Sequence, residues 1–469
     1  MAESELRKTL LHTKKNGYDS LGDEDRQAME EYCTAYRSFL DMGKTERECV
    51  AVAVHLAEMH GFRDWQPDER YAPGDRIYFV NREKNVALAV IGQKPLSEGV
   101  RIAVAHADAP RLDLKPAPLY EDDEMAYFKT HYYGGVRKYQ WTTVPLALHG
   151  AVVLKNGEKI LVKLGDVPED PQFLITDLLP HLGRKQGEKP LNEAIPAETL
   201  NLLIGGRPCA GDDGKDRVKL EVLRLLNERY GIVEEDFASA ELEAVPAWPA
   251  REIGFDRSFL GAYGHDDRSC AFAALSAILK LDAPEKTAIC LLVDKEEIGS
   301  EGVTGMQSAA FDRFVAALCR IEGVPIEECW AHSFCLSADV TAAYDPNFSE
   351  VYDHRNSTRC NYGVGLKKYT GSGGKSGGSD ASAETMGYLR GVFNKNGVLW
   401  QTAEMGKTDL GGGGTVAKFM ARRNIDTVDI GVPVLSMHAP YETVAKLDCY
   451  MTYRAILAVF EDRTDDATD

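Results

Sequence analysis

The sequence predicts an α/β fold in which a helix-flanked sheet is interrupted by a β-rich insertion. Three observations carry this prediction. Short apolar runs of strand length recur, and several end in a cluster of carboxylates or imidazoles, the pattern of strands that point their carboxyl ends at a crevice. After residue 268, helical and strand patterns alternate, which argues for helices packed on a sheet. Between residues 112 and 245 the pattern changes to hairpins and no such cluster occurs. At 469 residues the chain exceeds one compact domain. Residues 1–111 and 246–469 are expected to form one domain in two pieces, with residues 112–245 inserted between them.

The chain opens with helices. Met29, Tyr32, Cys33, Tyr36, Phe39 and Leu40 recur on one helical face. Thr45 and Glu48 make a capping-box pattern before a second helix that runs through Met59, and Gly61 is placed to end it. Strands follow at Ile77 to Val80, Val86 to Ile91 and Val100 to Ala105, the first two joined by a polar turn over Asn81 to Asn85. In the insertion, Val152–Val162 reads as a hairpin, with Asn156-Gly157 expected to form a type I′ turn. Pro246, Trp248 and Pro249 mark the return to the first pattern. Then come a helix from Arg268 to Lys280, a strand from Ala288 to Val293, a helix near Phe311 to Leu318, a strand from Phe334 to Ala338 and an apolar run from Val428 to Leu435.

Composition removes several classes. No segment is a long enough apolar run to span a bilayer, and Met-Ala-Glu-Ser-Glu-Leu carries no signal-peptide pattern. Ten Cys without a CxxC pair fit reduced thiols in a cytoplasmic protein. A formal charge of −19 argues against nucleic acid as a partner. Gly371-Ser372-Gly373-Gly374-Lys375-Ser376 lacks the phosphate-loop spacing. We read it as a loop near the active site, with Lys375 solvated. Gly411 to Gly414 are placed for close backbone approach to a substrate.

The chemistry lies where the apolar runs end. Asp294-Lys295-Glu296-Glu297-Ile298-Gly299-Ser300 follows a buried strand pattern. Adjacent carboxylates at the rim of an apolar strand are costly unless a cation sits beside them. Such a pair also divides two tasks, one Glu binding metal and the other handling a proton. His106-Ala107-Asp108, His265-Asp266-Asp267, Asp339 and Ser436-Met437-His438 stand at similar positions. A set of nitrogen and oxygen donors without Cys suits zinc, manganese or cobalt in a catalytic site.

The ordered set His106-x-Asp108, Asp266-Asp267-Arg268, Glu296-Glu297-x-Gly299-Ser300, Ser337-x-Asp339 and Met437-His438 resembles the M18 metallo-aminopeptidases, the aminopeptidase I and aspartyl aminopeptidase group. Thr427 through His438 is especially similar, and the resemblance runs from about Ala53 onward. It implies a mixed-sheet catalytic domain of the di-zinc exopeptidase type, with the inserted β-rich domain serving subunit contacts. It implies two Zn²⁺ per subunit, with Co²⁺ or Mn²⁺ as alternatives. Asp266 would bridge the metals, His106 and Asp339 would complete one site, and Glu297 and His438 the other. Glu296 matches the general base that serves a two-metal-activated water, and Asp108 the carboxylate that orients His106. Peptides would be the substrates, in a cytoplasmic homo-oligomer, a dodecamer built from dimers.

Asp267 stays outside that ligand set, as a residue that hydrogen-bonds nearby backbone. His265, His332 and His354 are read as packing or surface residues. His181 has a counterpart in the family that reaches a neighbouring subunit's site and steadies the tetrahedral intermediate, so the resemblance gives it a role in trans. The family's histidines after Ser-x-Asp are missing here, where Val340 to Asn347 keeps only Pro346-Asn347. The preferred N-terminal residue is therefore left open. A related di-zinc carboxypeptidase or deacylase is the alternative enzyme, since that sister family uses a similar set. A metal-dependent assembly protein is the non-enzyme alternative. The place of the insertion and the Ser-Met-His ending favour the aminopeptidase, and an intact Glu296 argues against an assembly role.

Overall fold

Four parallel strands form the centre of a nine-stranded mixed sheet. In spatial order they are Ala288–Val293, Arg101–His106, Phe334–Ala338 and Asp426–Gly431. Asn85–Val90 runs antiparallel beside the first and Val364–Lys367 antiparallel beside the last. The computed structural model describes residues 5–11 and 14–463. The four central strands are apolar on both faces because helices cover both. Ala103 and Ala105 face one core, Ile102 and Val104 the other. The first core lies beneath helices Asp23–Met42, Glu46–Met59, His265–Lys280, Ala383–Lys395 and Lys446–Phe460. The second lies beneath Ala310–Glu322, Ile326–Ala331 and Ala417–Ala421. Thr45 caps its helix with both halves of the capping box formed, as its spacing with Glu48 predicts. Among the described residues no helix is long and apolar enough to cross a membrane. All ten cysteines are free, and eight are buried.

Residues 111–246 contribute a six-stranded antiparallel sheet of their own. Its order is Lys159–Leu164, Leu146–Val153, Ala240–Pro246, Arg111–Asp122, Met125–Tyr133 and Leu202–Gly205. A separate core that includes Leu112, Phe128, Trp141, Leu148 and Leu242 packs on it. The turn expected at Asn156-Gly157 differs from type I′. Asn156 is absent from the positive-φ residues; only Gly157, at φ +86°, takes that region. The Gly157 N–H donates to the Leu154 carbonyl at 2.8 Å, so the turn spans Leu154–Gly157 and ends in the glycine. One more loop residue than the two-residue hairpin requires shifts the glycine to the last turn position.

The junction between the two sheets is ionic. Arg111 lies 3.4 Å from Glu46 and 3.2 Å from Glu243, and Lys84 lies 3.1 Å from Glu46, all four buried. The Arg111 guanidinium also stacks 3.9 Å from the Tyr133 ring centre. A third, five-stranded sheet orders Arg251–Ile253, Phe259–Ala262, Glu442–Ala445, Pro433–Leu435 and Thr341–Ala342. It pairs Ala262 with Glu442, four residues short of Asp266 on one strand and four past His438 on the other.

Candidate metal centre

Three of the four parallel strands carry predicted residues at or just past their carboxyl ends. His106 closes the strand Arg101–His106. Glu296 and Glu297 follow Ala288–Val293 in a single 3-10 turn, entered by Lys295 at φ +67° and left by Gly299 at φ +95°. Asp339 follows Phe334–Ala338. His438 lies in the loop after Pro433–Leu435, and Asp266 in the first, non-helical turn of His265–Lys280. Open α/β sheets place their ligands beyond such strand ends.

Asp266 lies between two imidazoles. Its Oδ1 is 3.2 Å from His106 Nε2 and its Oδ2 is 3.1 Å from His438 Nε2. Glu297 Oε1 is 3.5 Å from the same His438 nitrogen. Possible ligand atoms of His106, Glu296 and Asp339 fall within 4.8 Å of one another, as do those of His106, Asp266 and Glu297. Both histidines turn Nε2 inward because Nδ1 is engaged elsewhere. His106 Nδ1 meets the Asp108 carbonyl at 3.0 Å, and His438 Nδ1 meets the Gly135 carbonyl at 2.9 Å. Such partners fix the tautomer of a metal-binding imidazole.

Asp108 does more than face His106. Its carboxylate accepts the backbone N–H of Glu296 and of Glu297, each at 3.2 Å, and the Tyr133 hydroxyl at 2.8 Å. Burial opposes its charge, yet His106 and Tyr133 hold its carboxyl below the usual range. Asp267 is fully buried and accepts the His106 backbone N–H at 3.2 Å. Burial pushes it well up.

The other carboxylates are unfavourable as they stand. Burial pushes Glu296 up to about 8 and Asp339 to about 6, the latter against the pull of the Lys367 ammonium. Burial and the Asp266 charge raise Glu297 well above its usual value. Despite burial, Asp266 and Glu297 raise His438 to about 11. A group of acidic side chains that raise one another's pKa lacks positive charge, and divalent cations would supply it. The donors are imidazole nitrogen and carboxylate oxygen, a set that fits zinc.

Two residues that the sequence reading missed hold this cluster. Glu442 is buried and accepts the Asp266 N–H at 3.0 Å and the His438 N–H at 2.7 Å, one on each carboxylate oxygen. Its own signal was available, a carboxylate opening an apolar strand four residues past His438. Lys367 is buried at the end of its strand and donates to the Val340 carbonyl at 3.0 Å. Asp339 and Asp429 keep it charged although burial opposes this.

A cavity of about 710 Å³ opens over the cluster. Asp266, Glu296, Glu297, Asp339 and His438 line one side. The glycine-rich stretches line another, paired as a short ribbon of Gly371–Ser372 against Gly412–Gly413. A β-carbon on Gly412 would lie 2.5 Å from the Gly371 carbonyl oxygen. Lys375 reaches Asp380 at 2.7 Å and lies over the Tyr369 ring.

The remaining candidates lie elsewhere. His181 sits in an exposed turn of the insertion, beside exposed Leu178, Leu179 and Leu182, and does not line the cavity. His265 is buried between the Tyr36 hydroxyl, 2.7 Å from Nδ1, and the Leu260 carbonyl, 3.1 Å from Nε2. His332 bonds its own helix at the Glu328 carbonyl, and His354 packs on Tyr344.

Comparison with known proteins agrees with this arrangement. Residues 39–460 match the family model described as aminopeptidase I zinc metalloprotease (M18). A probable M18 family aminopeptidase 1 of Borrelia garinii subsp. bavariensis is 45% identical over 457 residues, 96% of this chain and 100% of that protein. The crystal structure of an M18 aminopeptidase from Thermotoga maritima superposes with a TM-score of 0.91 at 41% identity, covering 96% of this chain and 100% of that one. Aminopeptidase I from Clostridium acetobutylicum gives a TM-score of 0.90 at 42% identity, covering 97% and 100%.

Proposed function

The chain belongs to the M18 family of zinc aminopeptidases, and from that premise we propose how its residues remove the N-terminal residue of a peptide. It is a metal-dependent aminopeptidase, a hydrolase that uses zinc. Two zinc ions per subunit would be held with Asp266 shared, His106 and Asp339 completing one site and Glu297 and His438 the other. The observation that carries this reading is Asp266, whose two oxygens reach different histidines at 3.2 Å and 3.1 Å. Zinc bound there supplies Lewis acidity, which lowers the pKa of water and polarises the scissile carbonyl.

The protein's own part is orientation and proton transfer. Glu296 stands beside His106 and Asp339, with its backbone N–H tied to Asp108. As general base it takes the proton of the attacking water and returns it to the leaving amine. Asp108 aims His106 and fixes the Glu296-Glu297 turn, and Glu442 does the same for Asp266 and His438. Lys367 offsets the negative charge beside Asp339.

We read residues 112–245 as a domain inserted into a catalytic domain made of residues 1–111 and 246–469. Its separate core and sheet support that division. The exposed leucines around His181 support a subunit contact, through which His181 would reach a neighbour's site and stabilise the oxyanion. The assembly would be a dodecamer, the form in which a yeast aminopeptidase of this fold was solved, and its place the cytoplasm. Aminoacyl p-nitroanilides tested against N-acyl amino acids, with zinc measured on the purified protein, decide the reaction class. Hydrolysis of the N-acyl compounds alone would replace this reading with that of a deacylase.

A further inference from the structure

The inserted sheet contributes no predicted metal ligand, yet three consecutive residues at the end of one of its strands meet the cluster. Tyr133 ends the strand Met125–Tyr133, and its hydroxyl donates to Asp108 at 2.8 Å. Gly134, at φ +73°, packs so closely on Glu297 that a β-carbon there would lie 3.2 Å from the Glu297 β-carbon and 3.3 Å from Oε2. The Gly135 carbonyl meets His438 Nδ1 at 2.9 Å, and a β-carbon on Gly135 would lie 3.0 Å from that nitrogen. One short segment thus borders both halves of the cluster, His106 through Asp108 and His438 directly.

The segment is anchored. Tyr133 lies under the Arg111 guanidinium, which faces buried Glu46 from the first piece of the chain and buried Glu243 from the last strand of the inserted sheet. Tyr133, Gly134 and Gly135 are therefore fixed relative to both sheets. Any rotation of the inserted sheet about this junction would draw the Gly135 carbonyl from His438 and the Tyr133 hydroxyl from Asp108 together.

We propose that Tyr133–Gly135 is a positioning element of the metal centre, so that the seating of the inserted sheet sets the orientation of a ligand in each half-site. Tyr133 holds the Asp108 carboxylate, which lies 3.3 Å from His106 Nδ1 and also takes the Glu296 and Glu297 N–H groups, whereas Gly135 holds His438. This rests on the two-zinc reading of the cluster. The insertion then has a role within its own subunit, separate from any contact it makes with a neighbour.

The test measures metal rather than turnover alone. Tyr133→Phe keeps the ring under Arg111 and removes only the hydroxyl. Gly135→Ala places a methyl against His438, at a position whose φ lies outside the left-handed region. Purified protein, stripped with chelator, is titrated with Zn²⁺ against a chromogenic zinc chelator, and with Co²⁺ while the visible spectrum is recorded. Gly135→Ala should raise mainly one of two zinc dissociation constants and Tyr133→Phe both, each by about 10–100-fold, the loss usual for an outer partner of a metal ligand. Gly135→Ala should perturb the Co²⁺ bands of one site and Tyr133→Phe those of both, with kcat reduced and KM near that of the wild type. Wild-type affinities and spectra in both variants would overturn the proposal, as would a fall only in the melting temperature of the stripped protein. If wild type itself binds Zn²⁺ no better than Asp266→Ala, the two-zinc reading fails instead.

Discussion

Replacing Glu442 by glutamine tests how the metal cluster is held without touching a proposed ligand. Each carboxylate oxygen of Glu442 accepts one backbone N–H, from Asp266 at 3.0 Å and from His438 at 2.7 Å. An amide of the same shape has one oxygen and one NH₂. One of the two N–H groups then faces another donor and is left buried without an acceptor, which costs about 1–3 kcal/mol. The bond that survives loses its charge assistance and weakens. The two N–H groups belong to the residues that flank the cluster, so the loss falls on ligand placement. At about 1.4 kcal/mol per tenfold, a central loss of ~2 kcal/mol corresponds to about 30-fold in zinc affinity, within the range usual for such partners. The assay is competition with a chromogenic zinc chelator on stripped protein, with circular dichroism to establish that the fold persists. If Glu442→Gln folds, binds two zinc ions within twofold of wild type and keeps its kcat, the reasoning is wrong and these bonds do not position the site.

The other predictions concern the reaction, the assembly and stability. Glu296→Gln should lower kcat by about 10²–10⁴-fold with zinc content unchanged, because the amide cannot take the proton; full activity would remove Glu296 from the mechanism. Asp266→Ala should release both metals together, and two ions per chain by mass spectrometry would contradict a shared carboxylate. His181→Ala should lower kcat about 10²–10³-fold more than it raises KM, and mixing it with Glu296→Gln subunits should restore part of the activity. Proven subunit exchange without recovery would end the role in trans. His149 is buried between Glu48 at 2.9 Å and Asp166 at 3.3 Å, with Lys44 and Lys163 facing the same carboxylates. Burial lowers its pKa, but the two acids outweigh burial and raise it. Its contribution to stability is therefore full below the unfolded pKa near 6.5 and is lost as pH rises through the folded value, at up to ~1.4 kcal/mol per pH unit between the two. Urea unfolding of stripped protein should lose more stability above pH 6.5 in the wild type than in His149→Gln; parallel curves would exclude the effect.

The α/β plan was legible because its signals are local. Apolar runs such as Ala288–Val293 are long enough to name a strand, and Thr45 with Glu48 names a helix start by spacing alone. The proposed ligands were legible for a related reason: each sits one to four residues past an apolar run or opens a helix. For the residues that hold the ligands the local signal names no partner: Glu442 opens an apolar strand and Lys367 ends one, and neither position says what it reaches. Glu442 reaches Asp266 only because Ala262 and Glu442 pair across a sheet, 180 positions apart in sequence. Tyr133 and Gly135 meet Asp108 and His438 only because the inserted sheet closes against the strand ends. The turn at Leu154–Gly157 escaped for a smaller reason, since Asn-Gly fits two registers and one added residue decides between them.

The parallel order of the central strands also bears on how the molecule is made. The inserted sheet draws all its strands from residues 111–246, so its pairings are complete once Pro246 has left the ribosome. The strand Arg101–His106 emerges earlier, but both its neighbours, Ala288–Val293 and Phe334–Ala338, come later. His438 and Glu442 arrive last of the groups that build the metal centre. A nascent chain thus carries a folded insertion long before it carries a zinc site. Hydrolytic activity waits until Glu442 has emerged, and metal uptake becomes a late marker of a finished catalytic fold.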